Sequence, residues 1–282
     1  MCISCFNYIS FYFMEKLNLP ITLFCFIPID TSINRVIISR AKCGSRFLRD
    51  CGAFTQVPFN SSTLEQLKNV EKVYWVIREP RKHFFSALIT ELHSKWFSAE
   101  NLHISSKKIK IKVNNEKLIF EVLEKLLQNV INNTGFSHYY PIYQDLLELI
   151  QVKYDSFYKV TFIELNDLSA IVNDIFKTEY PYSMDNYSFK FNETDGIAIN
   201  TTNISEILET PDFLPYWNEI KPKIIIDANA YNTLSKFDFS KFLLEKIDEL
   251  HDKLEINEMK HNMQYVDIIK KLNRILKIND LK

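Results

Sequence analysis

RVIISRAKCGSRFL, from Arg35 to Leu48, is the stretch whose reading decides the fold. Arg35–Ser39 is a short apolar run of the kind that makes a fully buried strand. A basic loop with a single glycine follows, and then a helix start that carries the chain from Ser45 to near Cys51. The chain has only four glycines in 282 residues, so one placed at a strand-to-helix junction is informative. Gly44 permits a positive φ or a close backbone approach. Backbone N–H groups of Gly44, Ser45 and Arg46 lie at a helix start, where they lack intrahelical partners and favour an anion. Arg40, Lys42 and Arg46 add positive charge. The alternative is an ordinary strand-to-helix turn with solvated basic residues. No GxxxxGK followed by Ser or Thr occurs, so the loop is not that of a common P-loop ATPase or GTPase.

A second segment, VYWVIREPRKHFFSAL from Val73 to Leu88, repeats the pattern. An apolar strand, Val73–Ile77, runs into Arg78-Glu79-Pro80. Proline ends the strand and suits the first turn of a helix, here expected from Pro80 to about Phe97. Arg78 and the Gly44 loop thus each follow the C-terminal end of a strand. In a parallel sheet those ends share the edge at which α/β folds bind ligands. Ser86, about two turns into the second helix, is placed to share a phosphate with Arg78.

These two segments resemble the nucleotide-binding motifs of the sulfotransferases that use 3′-phosphoadenosine-5′-phosphosulfate (PAPS). Lys42-Cys43-Gly44-Ser45-Arg46-Phe47-Leu48 is similar to that family's K/R-x-G-S/T-S/T-x-L segment, which binds the 5′-phosphosulfate. Arg78-Glu79-Pro80 through Ser86-Ala87 is similar to its R-D/E/H-P-x-x-R-x-x-S-A/G segment, which binds the 3′-phosphate. Ser137-His138-Tyr139-Tyr140-Pro141 resembles the HWxP segment of carbohydrate sulfotransferases, and Tyr154–Leu168 resembles their late strand and E-x-L turn. The likeness spans residues 33 to 235, with long unmatched stretches between motifs. Arg46 stands where the family has Ser or Thr, and His83 where many members have Arg.

The resemblance implies a P-loop-like three-layer α/β fold with a central parallel sheet flanked by helices. It also implies transfer of a sulfuryl group from PAPS, without a metal, to a hydroxyl or amine of an acceptor such as a carbohydrate. It makes Lys42 the stabiliser of the leaving phosphate oxygen. Lys42, Cys43, Gly44, Ser45, Arg46 and Phe47 would form the 5′-phosphate loop, and Arg78 and Ser86 would bind the 3′-phosphate. For the base that removes the acceptor proton the candidates are His138, Glu65 and His93; Glu91 is turned away from Ser86 on the same helix. Each histidine also reads as a packing or surface residue. Trp75 reads as core. Trp96 and Trp217 suit either stacking on a base or sugar, or packing.

Two other readings remain. One is a protein of the same fold that binds 3′-phosphoadenosine-5′-phosphate (PAP), or serves structurally, without turnover. The other is a kinase-like phosphotransferase, disfavoured because no GK followed by Ser or Thr, and no evident magnesium carboxylate, follows the loop.

Composition bounds these readings. The chain is 46% hydrophobic and 14% aromatic, enough for a sizeable core. Its net charge of −1 argues against general nucleic-acid binding. Five cysteines, Cys2, Cys5, Cys25, Cys43 and Cys51, are clustered and odd in number, which suits free thiols in a reducing cytoplasm better than a disulfide framework. Cys2 and Cys5 have no partner pair for zinc. Glu15 and Lys16 interrupt the apolar N-terminus before a membrane span is reached, and a signal peptide is not expected.

The expected organisation is an N-terminal extension over 1–32, a nucleotide-binding domain over 33–239 and a helical tail over 240–282. Within the domain, strands are expected at Phe54–Pro58, Lys107–Val113 and Tyr158–Glu164. Helices are expected in Ser61–Asn69, Glu116–Asn132, Tyr143–Gln151 and Asp167–Phe176. The alternating Lys107–Val113 reads as an edge strand guarded by lysines or as a landing strip for an anionic acceptor. Residues 178–215 read as loop-rich, a lid or acceptor surface. In the tail, Leu243, Ile247, Leu250 and Leu254, then Val266, Ile269, Leu272 and Leu276, recur at helical spacing. They suit a hairpin packed on the domain or a homodimer seam.

Overall fold

The computed structural model describes residues 23–58, 70–93, 116–132, 139, 142–152, 159–176, 201–256 and 263–280. Five strands form one mixed sheet: β1 (Leu23–Pro28), β2 (Arg35–Arg40), β3 (Phe54–Pro58), β4 (Lys72–Ile77) and β5 (Val160–Glu164), in the order β3-β1-β2-β4-β5. The helices are α1 (Ser45–Asp50), α2 (Pro80–His93), α3 (Glu116–Ile131), α4 (Tyr143–Val152), α5 (Leu168–Phe176), α6 (Thr201–Leu208), α7 (Leu214–Leu234), α8 (Phe239–Ile256) and α9 (Met263–Asp280).

The sheet is not wholly parallel. β2, β4 and β5 are parallel neighbours, but β1 runs antiparallel to both β2 and β3. Only a short turn joins β1 to β2, and a tight connection forces antiparallel pairing. The Asp30 carboxylate closes that turn by accepting from the Ser32 amide (2.9 Å) and hydroxyl (2.7 Å). Residues 23–28, set apart by the sequence reading as part of an extension, are therefore the second strand of the sheet. Pro58 ends the edge strand β3, where a missing N–H disturbs the ladder least.

Side chains alternate across β2 and β4, and both faces are covered. Val36, Ile38, Val73, Trp75 and Ile77 pack with Tyr143, Leu146 and Ile150 of α4 and Ala230, Tyr231 and Leu234 of α7. Ile37, Tyr74 and Val76 pack on the opposite face with Phe47 and Leu48 of α1 and Leu168, Val172 and Ile175 of α5. Burial on both sides explains why these strands read as unbroken apolar runs.

A second core lies beyond the sheet. Phe84, Leu88 and Leu92 of α2 meet Val122, Leu123, Leu126, Leu127 and Val130 of α3, Ile204 and Leu208 of α6, and Trp217, Ile220 and Ile224 of α7. Of the loop-rich stretch expected over 178–215, residues 178–200 lie outside the described residues, and the remainder is corrected: it holds α6 and the start of α7. Pro215 sits in the first turn of α7, where its absent N–H costs nothing. The tail forms a helical pair: Leu243 and Ile247 of α8 pack on Ile269, Leu272, Ile275 and Leu276 of α9. Phe237, in contact with Phe162 of β5 and with Phe239 and Phe242, links that pair to the sheet. The helix expected in Ser61–Asn69 and the strand expected at Lys107–Val113 lie outside the described residues. No helix among the described residues is long and apolar enough to cross a membrane.

Candidate functional site

The chain leaves β2 toward the layer of α1 and α5. It leaves β4 toward α2, which packs with α7 of the opposite layer. Such a reversal between neighbouring parallel strands opens a crevice at their C-terminal ends. The Ala41–Gly44 loop and Arg78 both stand at that crevice.

Loop geometry is set from beneath. Ser39 donates its hydroxyl to the Cys43 carbonyl at 2.6 Å. The Cys43 amide bonds to the Arg40 carbonyl at 3.1 Å. His83, fully buried, lies with Nε2 3.0 Å from the Ala41 carbonyl. A carbonyl only accepts, so Nε2 carries the proton. Arg78 donates from Nη1 to the Lys42 carbonyl at 2.7 Å. The carbonyls of residues 40 to 43 are thus all engaged by the protein. A planar trans peptide points its N–H opposite to its C=O, so the amides of Lys42 and Gly44 face away from these bracing groups. Lys42 (φ 65°) and Gly44 (φ 85°) hold left-handed conformations that produce this turn. The Cys43 amide between them is engaged by Arg40, so the turn presents alternate amides, those of Lys42 and Gly44, on the side away from the braces.

Gly44 is needed for a second reason. A Cβ built there would collide with the Leu168 side chain and touch Leu165, so the β5–α5 turn packs directly on the loop. α1 has only six residues and a weak dipole. The positive character of the crevice comes mainly from side chains. Burial pushes the Lys42 ammonium down to about 8, helped by repulsion from Arg46 and Arg78. Arg78 is likewise lowered by burial. Like charges gathered where one of them is more than half buried make this loop the candidate position for a negatively charged ligand. α2 offers no competing anion position at its start, because the Glu79 carboxylate already accepts from the amides of Arg81 (2.9 Å) and Lys82 (2.7 Å).

Of the residues singled out by sequence, Lys42, Gly44, Ser45, Arg46 and Arg78 come together at the crevice. Cys43 and Phe47 direct their side chains into the core, leaving only their backbone for a ligand. Arg78 spends one donor on the Lys42 carbonyl, and its guanidinium makes no other hydrogen bond among the described residues. Ser86 is half-buried in the second turn of α2, and its carbonyl accepts from Thr90. His93 ends α2, and its side chain lies outside what is described, as do Glu65, His138 and Trp96. Trp75 is core, as expected. Trp217 stacks on Phe84 with centroids 5.9 Å apart and packs beside Phe85, so it belongs to the second core and not to a base-binding surface.

Three residues that the sequence reading passed over lie close by. Tyr143 clasps the backbone of Arg78: its hydroxyl accepts from the Arg78 amide at 2.8 Å and donates to the Arg78 carbonyl at 3.1 Å. Asp227 of α7, 1% exposed, accepts from the Tyr143 amide at 2.6 Å. Tyr231, hydrogen-bonded to Glu164 at the end of β5, is pushed upward by burial, by that bond and by the nearby Glu79 and Asp167. Asp227 carried a legible signal. It falls within the apolar face Trp217, Ile220, Ile224, Ala230, Leu234, where a carboxylate requires a partner.

No family model matches the chain, no curated protein matches it, and no solved structure matches it.

Proposed function

We propose that the crevice between β2 and β4 binds the phosphates of PAPS and that the protein is a sulfotransferase. The observation that carries the reading is the braced loop. Four consecutive carbonyls are engaged by the protein, and the Lys42 ammonium above them is repelled by both Arg46 and Arg78. A nucleotide with a 3′-phosphate as well as a 5′-phosphate matches two cationic positions on adjacent strands, one on the loop and one at Arg78. The order of the two motifs and their strand-end placement support the same choice. His83, a departure from the family pattern, has a task here as a brace on Ala41.

In this reading an acceptor hydroxyl or amine attacks sulfur. The new bond to sulfur forms as the sulfur–oxygen bond to the 5′-phosphate breaks, PAP leaves, and the acceptor proton passes to a base. Lys42 neutralises charge growing on the leaving oxygen. Arg78 anchors the 3′-phosphate. The acceptor, a carbohydrate by resemblance, and the base are left to experiment.

PAP should raise the melting temperature, whereas AMP and ATP should not. At about 100-fold saturation the stabilisation is roughly 2.7 kcal/mol. Equal stabilisation by ATP would turn the reading toward a phosphotransferase. Binding of PAP with no sulfate transfer from labelled PAPS to any of a panel of sugars, phenols and amines would favour a binding protein.

A further inference from the structure

We propose that Tyr143 and Asp227 are positioning residues for the crevice: a polar strut runs from α7, through the start of α4, to Arg78 and the Lys42 loop. The inference rests on reading that loop as the anion site.

Each link is a hydrogen bond between residues far apart in sequence. Asp227 accepts from the Tyr143 amide at 2.6 Å. Tyr143 is the first residue of α4, so this bond ties the start of that helix to α7. With α4 fixed, the Tyr143 hydroxyl holds both the amide and the carbonyl of Arg78, at 2.8 and 3.1 Å. Arg78 in turn holds the Lys42 carbonyl at 2.7 Å. Tyr143 is fully buried, and burial keeps its hydroxyl protonated, so it retains the proton it donates to Arg78.

Asp227 is an expensive group to bury for packing alone. Burial pushes its carboxyl up to about 7, opposed by the Tyr143 and Gln144 amides and Arg40 and assisted by Asp145. Its Oδ2 is buried with no hydrogen-bond partner among the described residues. Near neutral pH the acid and the carboxylate are both present, and either form keeps an oxygen able to accept from Tyr143. An asparagine keeps that oxygen too, and alanine does not.

The test uses the full chain and two readouts: hydrogen exchange at the Cys43 amide, within residues 40–48, and calorimetric affinity for PAP. Tyr143→Phe should speed Cys43 exchange at least tenfold and weaken PAP at least fivefold. Asp227→Ala should do the same, and Asp227→Asn should restore both to within about twofold of wild type. Ile224→Val, on the same face of α7 but in the second core, should move neither. Cys43 exchange unchanged in Tyr143→Phe and Asp227→Ala would overturn the strut, as would an equal effect from Ile224→Val. If Tyr143→Phe does not fold, the contrast between Asp227→Ala and Asp227→Asn decides; if Asp227→Ala also fails, Asp227→Asn folding with Cys43 exchange ten times faster overturns it. A wild type that binds no PAP overturns the nucleotide reading, while Cys43 exchange still decides the strut.

Discussion

The Lys42–Arg46 loop and the α8–α9 pair are both rich in charge, and they treat it in opposite ways. On the helical pair, cations meet carboxylates at the surface. Glu249 takes Lys246 and Lys253, each at 2.6 Å, and Lys241 and Lys270 lie near Glu245 and Asp267. These contacts hold the Glu249 carboxyl down at about 2. On the loop, Lys42 is half-buried and faces Arg46 and Arg78. Exposed pairs one helical turn apart are worth little and are common wherever a helix meets water. Like charges in a crevice cost stability, and such a cost points to a ligand of opposite sign. The lesson is that the sign of a residue's neighbours separates solvating charge from binding charge, which a count of lysines does not.

The largest effect that sharpens this contrast is expected in turnover. Lys42→Ala should lower kcat with PAPS about a hundredfold or more, on the scale of other groups that stabilise developing charge. PAP affinity should fall less, because Arg46 and the loop amides remain. Proportionate losses of affinity and kcat would make Lys42 an anchor only.

Arg78→Ala should weaken PAP at least tenfold, since a charge-assisted contact to phosphate contributes roughly 1.5–3 kcal/mol. The variant should also loosen the loop, because the same guanidinium holds the Lys42 carbonyl. An unaltered affinity would return Arg78 to a purely structural role.

Gly44→Ala should destabilise more than Gly52→Ala. Both glycines have positive φ, 85° and 67°, which costs alanine about 1–2 kcal/mol. Only Gly44 also meets Leu168 and Leu165; a Cβ at Gly52 meets nothing within 4 Å. Equal loss in denaturant melts would show that the β5–α5 turn yields freely.

Proton linkage gives smaller effects in both regions, each a rise of stability with pH but in separate windows. Lys42 is lowered from the ordinary 10.5 to about 8, so the folded state holds fewer protons there than the unfolded chain between those values. Stability should therefore rise with pH from about 8 to 10.5. PAP, by bringing negative charge, should restore the proton, so calorimetry near pH 8.5 in two buffers should detect proton uptake that Lys42→Ala abolishes. Glu249 is lowered, so its contribution is present above about pH 4.5 and is lost as pH falls through about 2. Glu249→Gln should cost under about 1 kcal/mol at neutral pH and less in high salt. A larger cost would mean that the surface pairs are not the weak partner in this comparison.

Sequence patterns carried much of the sheet. The edge strand β3, FTQVP, buries only Phe54 and shows no such run, whereas β2 and β4 are visible because runs buried on both faces leave an unbroken apolar signature. β1 has the same signature, LFCFIP, yet an apolar run near a terminus fits several fates, and only its pairing with β2 and β3 decides among them. The helix α6 is hidden in the sequence by the prolines at 181, 211 and 215 on either side of it. At the site, local motifs exposed Lys42, Gly44 and Arg78. Asp227 shows only as a carboxylate on an apolar helix face, which calls for a partner without naming it, and Tyr143 shows in no motif. Their bonds span 65 and 84 residues, and no local pattern encodes a contact of that range.

α7 belongs to two cores at once. Trp217, Ile220 and Ile224 are buried with α2 and α3, whereas Ala230, Tyr231 and Leu234 are buried against the sheet. Pro222, between Ile220 and Ile224, forgoes one backbone hydrogen bond, so the helix is held there by its packing in the second core. Neither core can open at its own temperature without stripping half of this helix from its partner. The described body should consequently melt in a single calorimetric transition, with equal van't Hoff and calorimetric enthalpies, and act as one foldon.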